Sequence, residues 1–141
     1  MKAISLLLLR VSTGLYLALW GIDKLIDPEH AVNLSNRFYG GLMSSQTLNY
    51  GVGLIEIAIG LLVMLGLFRG ISYLGQIAFY LIGIVPIIGY ILDPFGMYLV
   101  ENGRLTWFPS TTLLFASLLI ITFKAEDKLS LDHRRKHSNN N

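Results

Sequence analysis

Apolar residues run in long blocks along this chain, and polar residues gather between the blocks. The blocks are Ala3 to Ile22, Tyr50 to Phe68, Gly70 to Leu92 and Trp107 to Phe123. Each approaches the roughly 20 residues a helix needs to cross a hydrocarbon core about 30 Å thick. Backbone N–H and C=O groups find no water at that depth, so only helices and closed barrels are viable. The alternation of a barrel strand is missing from all of them. The pattern therefore predicts an all-α membrane protein. Residues 1–124 are expected to form a bundle of four transmembrane helices, and residues 125–141 a polar, disordered tail.

The links between blocks add detail. Little more than Arg69 and Gly70 separates the second block from the third, so those helices are expected to pack as an antiparallel hairpin. The first link is longer, Asp23 to Asn49. In it Asp27 and Pro28 read as an N-cap and first turn, and Ala31, Leu34, Phe38 and Tyr39 recur at helical spacing. A short interfacial helix between the first and second spans is expected there. Pro86 should kink the third span and free a carbonyl for a neighbouring helix.

Charge then orients the bundle. Lys2, Arg69 and the tail residues Lys124, Lys128, Arg134, Arg135 and Lys136 fall on one side, against Lys24, Arg37 and Arg104 on the other. The positive-inside rule puts both termini in the cytoplasm, with a bacterial-type inner (plasma) membrane as the expected location. Lys2 and the apolar run Ile4 to Leu9 look like the start of a secretory signal. Arg10 interrupts that run, and no small-x-small site follows before Asp23, so an uncleaved first helix is expected.

Composition narrows the chemistry. Hydrophobic residues make up 53% of the chain and charged ones 14%, against roughly 25% charge in soluble domains. Cysteine is absent, which excludes disulfides, thiolate metal sites and thiol exchange. The basic tail suits anionic head groups and lacks the aromatic interleaving used to read bases, so no nucleic-acid partner is expected. His30, His133 and His137 all lie outside the blocks, where none can ligate a bundle haem, and no metal site is expected.

Charges at membrane depth are the most informative residues, because a central Arg or Asp costs about 2.5 to 3.5 kcal/mol to insert. Arg10 and Glu56 are such residues. Glu56 shares a helical face with Gly53 and Gly60, and Arg10 shares one with Thr13, Gly14 and Gly21. Ser72, Gln76, Tyr80 and Gly83 line up in the third block, as do Ser110 and Ser117 in the fourth. Small-residue stripes are where membrane helices approach closely, so these faces are expected to turn inward. At 1.5 Å per residue, Arg10, Gln76 and Ser117 lie roughly 9 to 10 Å from the cytoplasmic boundary and Glu56 roughly 18 Å. Arg10, Glu56, Gln76 and Ser117 are thus a candidate intramembrane cluster, with an Arg10–Glu56 ion pair as its expected centre. Such groups either fix helix register or handle a proton, a quinone head group or an anion. At the far end of the first block, Trp20, Asp23, Lys24 and Asp27 make a polar and aromatic rim. It reads as a ligand or partner contact, or as an interface anchor.

The stretch RVSTGLYLALWGIDKLIDP, Arg10 to Pro28, resembles the opening of the DoxX-like membrane proteins. GLIEIAIGLLVMLGLFRG, Gly53 to Gly70, is similar to that family's second helix. The resemblance extends over Ile4 to Lys124, with Arg10, Lys24 and Glu56 at its distinctive polar positions. It implies a four-helix bundle acting as a subunit or accessory of membrane oxidoreductase systems. The thiosulfate oxidation behind the family's name is not carried over, since this chain has no cysteine and no recognised redox centre.

Three functions remain in view. The first is an accessory or anchoring subunit that docks an oxidoreductase partner through its tail or longer loops. The second is a redox subunit that binds quinone, with Glu56 handling a proton and Arg10 tuning it. The third is a small transporter or channel whose polar path needs a homo-oligomer. No cofactor and no catalytic residue is evident from the residues alone.

Overall fold

The computed structural model describes residues 1–101 and 109–138. In chain order the helices are α1 (Lys2–Ile26), α2 (Pro28–Phe38), α3 (Gln46–Leu65), α4 (Arg69–Ile84), α5 (Ile88–Leu92), α6 (Pro109–Thr122) and α7 (Leu131–Ser138). A 3₁₀ turn, Val85–Ile87, joins α4 to α5. No strand occurs among the described residues.

Glycine placement makes α1 and α3 the central pair. A Cβ on Gly14 would stand 2.7 Å from the Gly60 carbonyl oxygen, and one on Gly53 would stand 2.7 Å from that of Gly21. Both contacts are tighter than a side chain allows, so the two backbones touch where only hydrogens intervene. Each helix repeats its glycine after seven residues, the spacing that keeps one seam facing a partner over two turns. Gly14 facing Gly60 and Gly21 facing Gly53 fixes the pair as antiparallel and sets its register.

Two ends of the bundle follow from that register. The tail end carries the start of α1, the close of α3, the start of α4 and α7. The loop end carries α2 and the 3₁₀ turn. At the tail end, α3 stops at Gly66, whose φ of +67° is easy only for glycine. Its N–H bonds to Val63, and that of Leu67 to Leu62, a Schellman closure that satisfies the last carbonyls. The chain then turns directly into α4, the antiparallel hairpin expected from the short Arg69–Gly70 link.

Several polar side chains of the long helices point in and many large apolar ones point out. Arg10, Thr13, Glu56, Ser72, Gln76 and Ser117 are buried, while Leu8, Leu54, Ile71 and Leu74 are more than half exposed. Water would reverse that arrangement, whereas lipid favours it. α1, α3 and the run Arg69–Leu92 are long and apolar enough to cross a membrane. The fourth expected span differs. α6 is apolar but has 14 residues, about 21 Å of helix, so among the described residues length and composition establish three spanning helices. The expected start of that span at Trp107, and Arg104 before it, lie outside the described residues.

Two further expectations meet the structure at the ends of elements. The helix foreseen after Asp27 and Pro28 is α2, and Asp27 caps it by accepting from the His30 N–H at 3.0 Å. Within the tail expected to be disordered, residues 125–141, the described residues 125–138 are folded onto the bundle. Asp127 and Ser130 are buried, α7 follows them, and the Asp132 N–H bonds to the Gly66 carbonyl at 3.2 Å. A buried opposite charge drew the segment in, as the site geometry makes clear.

Candidate functional site

The α1–α3 register decides where each buried charge goes. With Gly14 facing Gly60, Arg10 lies level with Met64, about 12 Å along the axis from Glu56. Lys24 lies level with Tyr50, about 9 Å from Glu56 on the other side. Side chains lean toward their helix's N-terminus. Lys24 therefore leans toward Glu56 and Glu56 leans toward Lys24, while Arg10 leans away from both. The outcome is Lys24 Nζ to Glu56 Oε2 at 2.7 Å and Arg10 Nη1 to Asp127 Oδ2 at 2.8 Å. The expected Arg10–Glu56 pair is not formed.

At the tail end the Arg10–Asp127 pair is sealed, with side-chain exposures of 2% and 1%. Tyr73 donates to the same Asp127 oxygen at 3.0 Å. Arg69 reaches across from α4 to the Lys124 carbonyl at 2.7 Å and, more loosely, that of Asp127 at 3.4 Å. The guanidinium of Arg10 also abuts Gly66, where a Cβ would collide with it and with Ser130.

A second polar set occupies the middle of the bundle. Gln76 Nε2 donates to Ser117 Oγ at 3.0 Å, joining α4 to α6. The Tyr80 hydroxyl donates to the Thr13 carbonyl at 2.7 Å, joining α4 to α1. The expected cluster is thus divided. Gln76 meets Ser117, and Arg10 and Glu56 belong to separate sets at opposite ends.

The loop end holds the candidate site, a cavity of about 400 Å³ enclosed by α1, α2, α3 and the Pro86 region, with Ser110 and Leu113 of α6. Its wall is largely apolar and aromatic, including Tyr16, Trp20, Phe38, Phe79 and Tyr80. The Lys24–Glu56 pair stands in that wall. Lys24 is held further by the Trp20 ring, whose centroid lies 5.5 Å from Nζ, a distance at which the ring face attracts a cation. Exposures of 15% for the Lys24 side chain and 8% for that of Glu56 show a pair withdrawn from bulk water but bordering a space.

Local chemistry builds the rest of the enclosure. Pro86 has no N–H to give the Ile82 carbonyl, and the Tyr39 hydroxyl donates to that oxygen at 3.3 Å, tying the end of α2 over the 3₁₀ turn. Burial, and then the charge of Glu56, push the Tyr39 hydroxyl pKa above its ordinary value, so it stays a donor. Ser35 accepts from the Met43 N–H at 2.8 Å, and Asn49 donates to the Met43 carbonyl at 2.8 Å, which folds the link between α2 and α3 onto the site. Of the expected rim residues, Trp20, Asp23 and Lys24 line the cavity. Asp27 does not. It caps α2, while Asp23 pairs with His30 at 2.8 Å.

The DoxX family model matches residues 5–89, the stretch that supplies α1 to α4 and nearly all of this cavity. The chain belongs to the DoxX family. No curated protein matches it, and no solved structure does. Within that family frame the chain is an integral membrane protein, and its distinctive polar residues Arg10, Lys24 and Glu56 split between the sealed tail-end pair and the cavity-facing pair.

Several residues of these sites escape a reading by motif. Asp127 sits in KAEDKLSLD with other acids around it, and nothing marks it as the one drawn inside. Tyr39 and Asn49 lie in a polar link with no pattern of their own. Asp93 is a similar case: it accepts from the backbone N–H groups of Leu99 and Tyr98 at 2.7 Å and of Met97 at 2.9 Å. Those donors hold its carboxyl down at about 2.

Proposed function

We propose that this DoxX-family chain is a membrane subunit of an oxidoreductase system, and that it holds a quinone-class head group in the loop-end cavity. One observation carries the reading: an apolar, aromatic-walled space of about 400 Å³ with a Lys–Glu pair set into its wall. Ligand pockets of roughly 300–1,000 Å³ with few, well-placed polar groups are the usual form of a small-molecule site. Trp20, Phe79 and Tyr80 suit a flat ring, Lys24 suits a carbonyl oxygen as donor, and the membrane setting suits an apolar tail. When bound, a quinone would supply a two-electron, two-proton carrier. The chain's own part is to orient the ring, exclude bulk water and hold a proton at Glu56.

The wider setting belongs to the same proposal. α6 serves as the fourth crossing of a bacterial-type inner membrane, and both termini face the cytoplasm, where the lysines and arginines of the tail end collect. α2 then lies in the opposite interface over the cavity. The partner subunit docks on the tail or on α2. Against a channel, the buried polar groups among the described residues form separate sets at the two ends and the middle of the bundle.

Purification of the full chain in mild detergent, with solvent extraction and absorbance detection of quinone, tests the reading. Titration with a short-chain ubiquinone analogue, read by tryptophan fluorescence, extends it. Saturable quenching is expected, weakened at least several-fold in Glu56→Gln. Absence of extractable quinone together with no saturable quenching would sink the idea. Recovery of the chain without any oxidoreductase subunit under several growth conditions would remove the accessory role.

A further inference from the structure

A second cavity, of about 310 Å³, opens at the tail end, away from the α1–α3 crossing. Arg69, Lys124, Lys136 and Asp132 line it, with Phe68 and Ile71 beside them. Three cations face one carboxylate, so the space carries excess positive charge. Asp132 shows what the position attracts: its carboxylate accepts from the Arg69 N–H at 2.9 Å, at the start of a 16-residue helix. The helix dipole favours negative charge there.

That one carboxylate leaves the site unsaturated. The Arg69 side chain is 8% exposed and lies 3.8 Å from Asp132 through Nε, which has no hydrogen-bond partner among the described residues. Lys124 Nζ borders the first turn of α4, 3.7 Å from where a Gly70 Cβ would stand. Among the described residues neither Lys124 nor Lys136 directs its ammonium to a hydrogen bond or ion pair. Phe68 and Ile71 are 60% and 79% exposed at the start of a run long and apolar enough to span a membrane. A ligand that fits has a compact anion on an apolar stem.

We propose that this cavity binds the phosphate of an anionic membrane lipid at the tail-side interface. Lys124 and Lys136 supply the charge, the buried Arg69 backs them, and Phe68 and Ile71 meet the first carbons of the lipid chains. The site is distinct from the loop-end cavity and stands whether or not quinone binds there. Phosphate free in solution offers the same chemistry, and the experiment separates the two sources.

The test uses the full chain in neutral detergent, titrated with phosphatidylglycerol or with phosphatidylcholine and read by native mass spectrometry, with inorganic phosphate as a competitor. Saturable retention of phosphatidylglycerol over phosphatidylcholine is expected, weakened roughly tenfold or more in Lys124→Gln/Lys136→Gln, since each basic residue near an anionic surface contributes to attraction. Among the described residues those ammonium groups support no internal bond, so the variant's circular dichroism should match the wild type. If inorganic phosphate binds at low millimolar concentration, is lost in the double variant, and phosphatidylglycerol is not retained, the phosphate site stands with free phosphate as its source. Equal retention of both lipids, or equal phosphatidylglycerol and phosphate binding by the wild type and the double variant, overturns the proposal.

Discussion

Two ion pairs inside this bundle, Arg10–Asp127 and Lys24–Glu56, are built from similar groups and end in different circumstances. Arg10–Asp127 is packed on every side, with a tyrosine hydroxyl on the same carboxylate oxygen and a glycine pressed against the guanidinium. Lys24–Glu56 stands in the wall of a cavity, with an aromatic ring beside the ammonium and open volume beyond. The first pair ties the segment after α6 to α1 and has no room for a ligand. The second has room for one. A buried charge becomes a candidate for chemistry when space adjoins it, and a lock when protein fills that space.

The sharpest way to break this contrast is to remove one partner at the tail end. Arg10→Met or Asp127→Leu leaves an uncompensated charge in a sealed site, which is expected to cost about 3–5 kcal/mol. The double variant should recover much of that loss, because a matched apolar pair carries no desolvation penalty. Thermal unfolding in detergent measures both, and limited proteolysis after Phe123 should show α7 released in the single variants. Single variants as stable as the wild type would mean that the pair is no lock.

At the loop end a smaller effect on stability and a larger one on binding are expected. In Glu56→Gln the Lys24 ammonium keeps the Trp20 ring, and its carbonyl contact at 3.5 Å, and can reach water in the cavity. A loss of about 1.5–3 kcal/mol, as for one hydrogen bond to a charged group, would set it apart from the larger loss in Arg10→Met. A loss as large as that of Arg10→Met would erase the distinction between the two ends.

The smallest effect is expected outside both pairs, at Asp93. Its carboxyl titrates at about 2 instead of the ordinary 3.8, because the N–H groups of Leu99, Tyr98 and Met97 favour the charged form. A depressed folded value means that the stabilisation is complete above 3.8 and is lost as pH falls toward 2. Amide hydrogen exchange at Met97 to Leu99 should therefore accelerate, relative to neighbouring amides, between about pH 4 and pH 2. In Asp93→Asn that step should vanish, while both bundle pairs keep their behaviour.

Much of the bundle is legible in the chain. Long apolar blocks specify α1, α3 and the run from Arg69 to Leu92, since lipid tolerates little else. The inward faces of α1 and α3 follow from Gly14, Gly21, Gly53 and Gly60, because close approach needs small residues at one angular position. Asp27 and Pro28 mark the start of α2 by local hydrogen bonding alone. Each of these signals is carried by residue type and spacing within a single helix.

Partnership was decided elsewhere. Arg10 and Glu56 look like a pair when only faces and approximate depths are compared. Their separation follows from the axial register of α1 on α3 and from the N-terminal lean of side chains, and the register exists only once the helices have packed. Asp127 reads as one acid of a solvated tail until a buried guanidinium within reach makes its burial favourable. Tyr39 finds the carbonyl that Pro86 leaves free because α2 folds over the 3₁₀ turn. Residue type and spacing determined that this chain enters a membrane and which faces turn inward. Which charge meets which, and where a cavity remains between them, depended on contacts between residues far apart in sequence, whose energies no local pattern carries.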